Sequence, residues 1–207
     1  MHRRNNMGRL LSRAFYFSAL AAILSLPAAA ATSTWQIDPA HTAAQFAVKH
    51  MMISTVRGEF KGVTGAVVWD DADITKSSVN VTIDAATVNT GEPKREADLR
   101  SDHFFEVAKY PTITFKSTRV EPAGAGKLNV TGDLTIHGVT KQVVLDVAGP
   151  SAAVKDPMGN LRAAISATTK INRQDFGVKW NATMDGGGVV VGDDVNITID
   201  LEMIKQK

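Results

Sequence analysis

The sequence predicts an all-β domain, a closed antiparallel barrel of about eight strands with one short helical insertion. Apolar and polar residues alternate with period two along much of residues 32–207, which is the primary signature of strands with one buried face. Glycines such as Gly58 and Gly132 punctuate these strands, where we expect sharp bends. One segment of helical composition is available to close an end of the barrel. A two-sheet sandwich is the alternative, but long strands, glycines and the helical segment together favour a barrel.

The first 31 residues are interpreted as a cleaved signal peptide. A basic stretch with four arginines precedes an apolar run over residues 14–26, which is followed by Pro27 and by alanines at 28–31. The run is shorter than the roughly 20 residues that span a bilayer. Cleavage after Ala30 or Ala31 leaves residues 32–207 as a single domain with no transmembrane segment. We expect the protein in the periplasm, with secretion beyond the outer membrane as the alternative.

Eight segments of the mature chain are predicted to be strands. Six of them alternate, namely residues 44–50, 56–61, 79–84, 112–116, 128–136 and 195–203. Residues 143–147, after Gly138, are interpreted as the hairpin partner of 128–136, and residues 161–171 form a further Ala- and Thr-rich strand. Residues 94–100 contain good helix formers and no β-branched residue, which predicts a short helix. Residues 101–105 then form a turn that delivers Phe104 and Phe105 onto the core. Residues 51–53 are predicted to form another brief turn.

Composition excludes several classes of protein. Four of the 23 basic residues lie among the first 31, which hold no acidic residue, so residues 32–207 carry 19 basic against 21 acidic side chains. A net charge of −2 excludes a nucleic-acid binder driven by bulk charge. The absence of cysteine excludes disulfides, thiol nucleophiles and cysteine metal ligands.

Motifs for catalysis are missing from the sequence. The mature histidines, His41, His50, His103 and His137, show no metal-ligand spacing. There is no G-x-S-x-G elbow, and Gly186–Gly188 is followed by no helix of the kind that a phosphate loop needs. We therefore expect no enzyme, no metal and no cofactor, and a lipid-modifying enzyme is only a distant third hypothesis.

The inward faces of the strands predict an apolar interior. Its expected lining is Phe46, Val48, His50, Val56, Phe60, Val81, Ile83, Leu99, Phe104, Phe105, Phe115, Leu134, Ile136 and Phe176. These residues can enclose a cavity or simply fill a core, and the sequence alone leaves both open. His50 either orients a polar group or is a core histidine. Five basic residues are candidates to meet a ligand's head group, the alternative being solvated surface charges: Arg57, Lys61, Lys94, Arg95 and Arg173.

A series of short motifs, in order and with matching spacing, resembles the YceI-like polyisoprenoid-binding family. They are DPAHT (38–42), FAVKH (46–50), TVRGEF (55–60), IDAATVNTG (83–91), READLRSDHFF (95–105), YPTITFKS (110–117), GDLTIHGVTK (132–141), NRQDFG (172–177) and VGDDV (191–195). Each motif is weak alone, but together they cover essentially the whole mature chain. The resemblance implies a lipocalin-like barrel that holds an isoprenoid or similar amphiphile without covalent chemistry.

Two hypotheses of function follow. The first is a periplasmic or secreted carrier or scavenger of an isoprenoid, a quinone or another lipophilic small molecule, for transport, storage or sequestration. The alternative is a stress-response or protein-interaction barrel with a filled core and no physiological lipid. The exposed faces show no clear apolar stripe, so the sequence is compatible with a monomer or a homodimer.

Overall fold

Eight strands of the protein form a closed antiparallel barrel in the computed structural model, which describes residues 32–207. The predicted signal peptide, residues 1–31, lies outside the described residues. The described residues contain eleven strands in all: β1 (Thr32–Ile37), β2 (Ala43–His50), β3 (Ser54–Phe60), β4 (Thr64–Asp70), β5 (Ser78–Asp84), β6 (Thr112–Pro122), β7 (Lys127–Ile136), β8 (Val139–Ala148), β9 (Val154–Lys155), β10 (Leu161–Asn172) and β11 (Val191–Lys205). The helix α1 (Pro93–Arg100) and 3₁₀ turns at Pro39–His41, Ile74–Lys76, Ala85–Thr87 and Arg173–Phe176 complete the described elements.

The barrel closes through the long strand β11. Around the ring the strands follow the order β11, β1, β4, β5, β6, β7, β8 and β10, and β10 pairs again with β11. Only residues 203–205 of β11 pair with β1, whereas residues between 191 and 200 pair with β2, which in turn pairs with β3. The β2–β3 hairpin therefore extends one end of the wall. The predicted closed all-β barrel is confirmed, but β1 and β4 belong to the ring and were not identified from alternation.

The segment between β5 and β6 lies at one end of the barrel, which we call the mouth end. There β2 ends at His50, β5 ends at Asp84 and β11 begins at Val191. Glu59 of β3 and Asn89 exchange two backbone hydrogen bonds of 2.9 Å, which joins this segment to the hairpin. The helix expected over 94–100 is present and begins after Glu92, whose carboxylate accepts a hydrogen bond from the Lys94 N–H.

Two glycines in the strands make room for aromatic rings. Gly58 pairs with Phe46, and a Cβ on Gly58 would lie 2.7 Å from Cε1 of the Phe46 ring. A Cβ on Gly132 would lie 2.6 Å from Cε2 of Phe115. Neither glycine has a left-handed φ, and opposite Gly132 the β6–β7 pairing shifts its register between Ser117 and Arg119. Each phenylalanine ring lies across a glycine of a neighbouring strand, a device that also pins strand register.

Candidate functional site

The interior of the barrel is hollow. It contains a cavity of about 390 Å³ that is lined almost wholly by apolar side chains. Known small-molecule sites have volumes of about 300–1,000 Å³. Val195, Ile197 and Ile199 line the first half of β11 and are only half-buried, whereas Leu201 and Met203, further along the same face, are 4% and 1% exposed. The free space is therefore greatest towards the mouth end.

All fourteen residues of the predicted lining lie around this one cavity. They are Phe46, Val48 and His50 of β2, Val56 and Phe60 of β3, Val81 and Ile83 of β5, Leu99 of α1, Phe104 and Phe105 after it, Phe115 of β6, Leu134 and Ile136 of β7, and Phe176. Because alternate residues of a strand point to the same face, each strand contributes residues two apart. Phe60 contacts two other rings of the set, with centroid distances of 5.6 Å to Phe46 and 5.4 Å to Phe105.

A second wall of the cavity was missing from the predicted site. It comprises inward residues of β10 and β11, with tryptophans at two further positions: Ile165, Ala167, Ile171, Val195, Ile197, Ile199, Trp69 and Trp180. Alternation predicts β11 and indicates which of its residues face inwards, whereas β10 is predicted from its Ala- and Thr-rich composition, which does not indicate its inward face. Trp180 lies in a loop, where no periodicity signals its role, and its ring packs 5.4 Å from that of Phe104.

The charged lining residues lie at the mouth end. Lys49 and His50 approach from the end of β2, and Arg95 and Asp98 approach from α1. Lys49 is exposed to solvent although it also lines the cavity, so the cavity opens to the surface here. His103 Nδ1 lies 2.8 Å from Asp98 Oδ1, which leaves Asp98 engaged with a neighbour rather than facing the cavity alone.

Three of the five basic residues predicted to meet a head group do not line the cavity. Arg57 is exposed and lies in a shallow outer groove beside Glu59 and Asn89. Lys61 is exposed, with its Nζ 3.7 Å from Glu59 Oε1, and Lys94 is exposed on α1. Arg57 faces outwards because adjacent residues of a strand point to opposite faces, and its neighbour Val56 faces inwards.

Arg173 lines the cavity, but its guanidinium serves the protein itself. Nε donates to the Gly192 carbonyl at 2.9 Å. Nη1 donates to the carbonyls of Val178 and Trp180, and Nη2 donates to the Val191 carbonyl and to Asp193 Oδ1. All five N–H donors of an arginine are thereby used. Burial lowers the pKa of Arg173, and the side chain fastens the 173–180 loop to the start of β11 rather than offering donors to a ligand.

Arg95 is the one predicted head-group residue that combines a place in the lining with unused donors among residues 32–207. Its Nε donates to Thr90 Oγ1 at 2.9 Å and its Nη2 donates to the Thr90 carbonyl at 3.1 Å. No hydrogen bond from Nη1 is found within residues 32–207. Glu96, the next residue, accepts from the Thr90 N–H at 2.8 Å, and this bond lowers the pKa of Glu96. Arg95 is thus held at the mouth by two of its five N–H donors, and the others are available to a ligand.

A separate acidic cluster lies away from the cavity. Ligand atoms of Asp38, His41 and Glu202 lie within 4.8 Å of one another. However, Arg162 Nη1 donates to Asp38 Oδ2 and to Glu202 Oε1, both at 2.6 Å. The hydrogen bond from Arg162 is the main cause that lowers the pKa of Asp38 to about 2. Arg162 therefore already supplies the positive charge that these carboxylates require, and the cluster is a structural ion network.

Within residues 32–207, none of the helices has the length and apolar character needed to cross a membrane. The fold and the site together define a class: a lipocalin-type antiparallel barrel whose interior suits a lipid-like ligand. Comparison with known proteins makes the assignment specific. The YceI-like domain profile matches residues 35–203, and the chain belongs to this family.

Relatives and solved structures agree with this assignment. A UPF0312 protein of Vibrio cholerae is 39% identical over 162 residues, which cover 77% of this chain and 85% of that protein. The crystal structure of BcnA from Burkholderia cenocepacia superposes with a TM-score of 0.68 at 28% identity, covering 80% of this chain and 98% of that one. A polyisoprenoid-binding domain from Saccharophagus degradans, implicated in plant cell wall breakdown, has a TM-score of 0.60 at 18% identity. It covers 83% of this chain and 98% of its own, and it shows the shared fold.

Proposed function

We propose that the protein is an exported, periplasmic binding protein that holds an isoprenoid, a quinone or a similar amphiphile in the barrel, for transport, storage or sequestration. The observation that supports this proposal is the apolar cavity of about 390 Å³ inside a closed barrel. A hydrocarbon chain that enters it gains about 0.8 kcal/mol for each buried CH₂, less the cost of ordering its rotatable bonds. Affinity then rises with chain length and depends little on chemical detail. The role is binding rather than catalysis.

The distribution of polar groups sets the orientation of the ligand. Deep in the barrel the walls offer few hydrogen-bonding partners, and a polar group buried without one costs about 2–7 kcal/mol. The head group therefore stays at the mouth end, where Arg95 has free donors. A phosphate or carboxylate head forms a charge-assisted hydrogen bond with a guanidinium, which is stronger than a neutral one.

The test uses the mature protein, residues 32–207, purified without detergent. Mass spectrometry of a solvent extract is expected to find a long-chain amphiphile in a stoichiometric amount. Titration with prenyl alcohols of increasing length is expected to show affinity that increases with each isoprene unit until the cavity is full. A protein that carries no lipid and binds none of the series would refute the proposal and favour a protein-interaction barrel.

The head-group assignment has a matched pair of variants. Arg95→Gln is expected to weaken a prenyl phosphate about tenfold, since one charge-assisted bond is lost, and to leave the corresponding prenyl alcohol unchanged. Lys94→Gln removes a neighbouring charge that does not line the cavity, and we expect it to change neither affinity. If Arg95→Gln weakens alcohol and phosphate equally, Arg95 acts only by holding Thr90 in place.

A further inference from the structure

The turn between β2 and β3 holds three apolar side chains in solvent beside the cavity. Met51, Met52 and Ile53, which we call the tip, are 40%, 57% and 82% exposed. His50, immediately before the tip, lines the cavity. The Met51 N–H donates to the carbonyl of Val190, another lining residue, at 2.8 Å. The tip therefore forms part of the rim of the mouth.

The backbone of the tip is one for which methionine is poorly suited. Met51 and Met52 have φ values of 51° and 62°, both left-handed. The Ile53 N–H donates to the His50 carbonyl at 3.2 Å, so the two methionines are the central residues of a turn with the φ signature of type I′. Such turns strongly prefer Asn-Gly. The sequence thus places large apolar side chains where both backbone conformation and solvation oppose them, as strained functional sites do.

The segment of β2 and β3 that carries the tip is basic, unlike the domain as a whole. Residues 49–57 include Lys49 and Arg57 and no acidic residue, whereas residues 32–207 as a whole carry a net charge of −2. Both basic side chains are exposed. Apolar side chains flanked by basic ones are the combination that binds the interface of an anionic bilayer, since the apolar groups insert and the cations meet the head groups.

We propose that the tip docks the protein on an anionic membrane surface and places the cavity mouth against the bilayer. The tail of a ligand then passes between membrane and barrel without crossing water. Three apolar residues and two cations give weak, reversible attachment, which suits a protein that must also leave the membrane. This inference rests on the proposed lipid-binding function, because it assigns the surface through which the same cavity exchanges its ligand.

A second exposed apolar group supplies an internal control. Met158 is 78% exposed, but it lies in the turn before β10, beyond the end of β11 opposite to the tip. Fifteen residues of β11 separate the two ends by about 45 Å. Met158 does not line the cavity. If apolar exposure alone were enough for membrane binding, Met158 would contribute as much as any single residue of the tip.

The experiment measures flotation of the mature protein with vesicles of phosphatidylglycerol and phosphatidylethanolamine. Met51→Asn/Met52→Gly restores the preferred turn sequence, so we expect the Tm to stay the same or rise, while the vesicle partition coefficient falls at least tenfold. Met158→Ser is expected to leave partitioning unchanged. Transfer of a fluorescent prenyl lipid from vesicles should slow by at least tenfold in the tip variant only.

Ligand binding is measured separately, with geranylgeraniol delivered from cyclodextrin in the absence of vesicles. The tip variant is expected to bind it as the wild type does. Equal flotation of wild type and tip variant would overturn the docking proposal, and so would a wild type that does not float. A tip variant that only converts a dimer to a monomer in sedimentation would make the tip a contact between two copies. Failure of the wild type to bind geranylgeraniol would instead refute the lipid-binding function itself.

Discussion

Substituting Ile199 by phenylalanine tests whether the interior is free space available to a ligand. Ile199 lies in the middle of β11, lines the cavity and is half-buried. Its partners on the adjacent strands are Ala44 of β2 and Ala167 of β10. Both neighbours are small, so a phenyl ring at position 199 has room to extend over them into the hollow.

The expected effect can be worked out from the added atoms. Phenylalanine has about three more side-chain carbon atoms than isoleucine, and each displaces about one CH₂ of ligand at about 0.8 kcal/mol. The loss of about 2.4 kcal/mol corresponds to roughly 60-fold weaker binding of a chain that fills the cavity. In a filled core the same substitution overpacks and destabilises by about 1–3 kcal/mol. In a hollow one it buries apolar area and leaves the ligand-free protein as stable or more so.

Two measurements on ligand-free protein distinguish these outcomes. Displacement of an environment-sensitive apolar dye gives the affinity for a long prenyl chain, and urea unfolding gives the stability. Val144→Phe is the matched control, because Val144 is 47% exposed and does not line the cavity. A destabilised Ile199→Phe protein with unchanged affinity would show that this part of the barrel is packed, and the ligand site would have to lie elsewhere.

Three further predictions concern the scaffold. Gly132→Ala places a Cβ 2.6 Å from both Phe115 Cε2 and the Lys116 carbonyl oxygen. We expect urea denaturation to show that the free energy of unfolding falls by about 1–3 kcal/mol. An unchanged midpoint would mean that the strands separate easily here. Arg173→Lys has two donors fewer, so at least two of the five acceptors, and therefore at least one main-chain carbonyl, lose their bond to this side chain, and the free energy of unfolding should fall by about 1–3 kcal/mol while the circular dichroism spectrum stays that of a β-protein. Hydrogen bonds from Arg162, the largest cause, and from His41 lower the pKa of Asp38 from 3.8 to about 2, which contributes stability above about pH 4 that is lost as the pH falls towards 2. Arg162→Gln should therefore be less stable than wild type at pH 7, and thermal melts should show the difference narrowing between pH 4 and pH 2; a constant difference would contradict the assigned cause.

Alternation predicted most of the wall and failed where the inward residues are unusual. The β11 sequence alternates from Val195 to Met203 without interruption, so its inward face is evident from the sequence. In β1 one inward position is Ser33, whose buried hydroxyl accepts a hydrogen bond from the Trp35 indole N–H at 2.9 Å. In β4 the consecutive valines 67 and 68 hide the period. Both strands belong to the ring, although their sequences show no clean alternation.

The basic residues show a different limit of the sequence. Val56 lines the cavity, so its neighbour Arg57 in β3 faces outwards. The alternation in the sequence therefore already excluded Arg57 from the interior. Arg95 and Arg173 could not be distinguished in this way. The N–H donors of Arg173 are occupied because the 178–180 loop and the start of β11 bring four carbonyl oxygens around its guanidinium. Such convergence of distant backbone segments leaves no local pattern in the sequence.

The proposed head-out orientation and the proposed membrane docking constrain each other. An amphiphile in a bilayer has its head group at the interface and its tail in the hydrocarbon region. A docked barrel holds the head at its mouth, near Arg95, and therefore close to that same interface. During exchange the head group stays in a polar environment throughout, and only the tail moves from one apolar phase to the other. The tail crosses at the rim, where the tip supplies an apolar surface in place of water. A barrel that held the head group deep inside would have to desolvate it first, so a mouth-end polar site and an apolar rim form one consistent route.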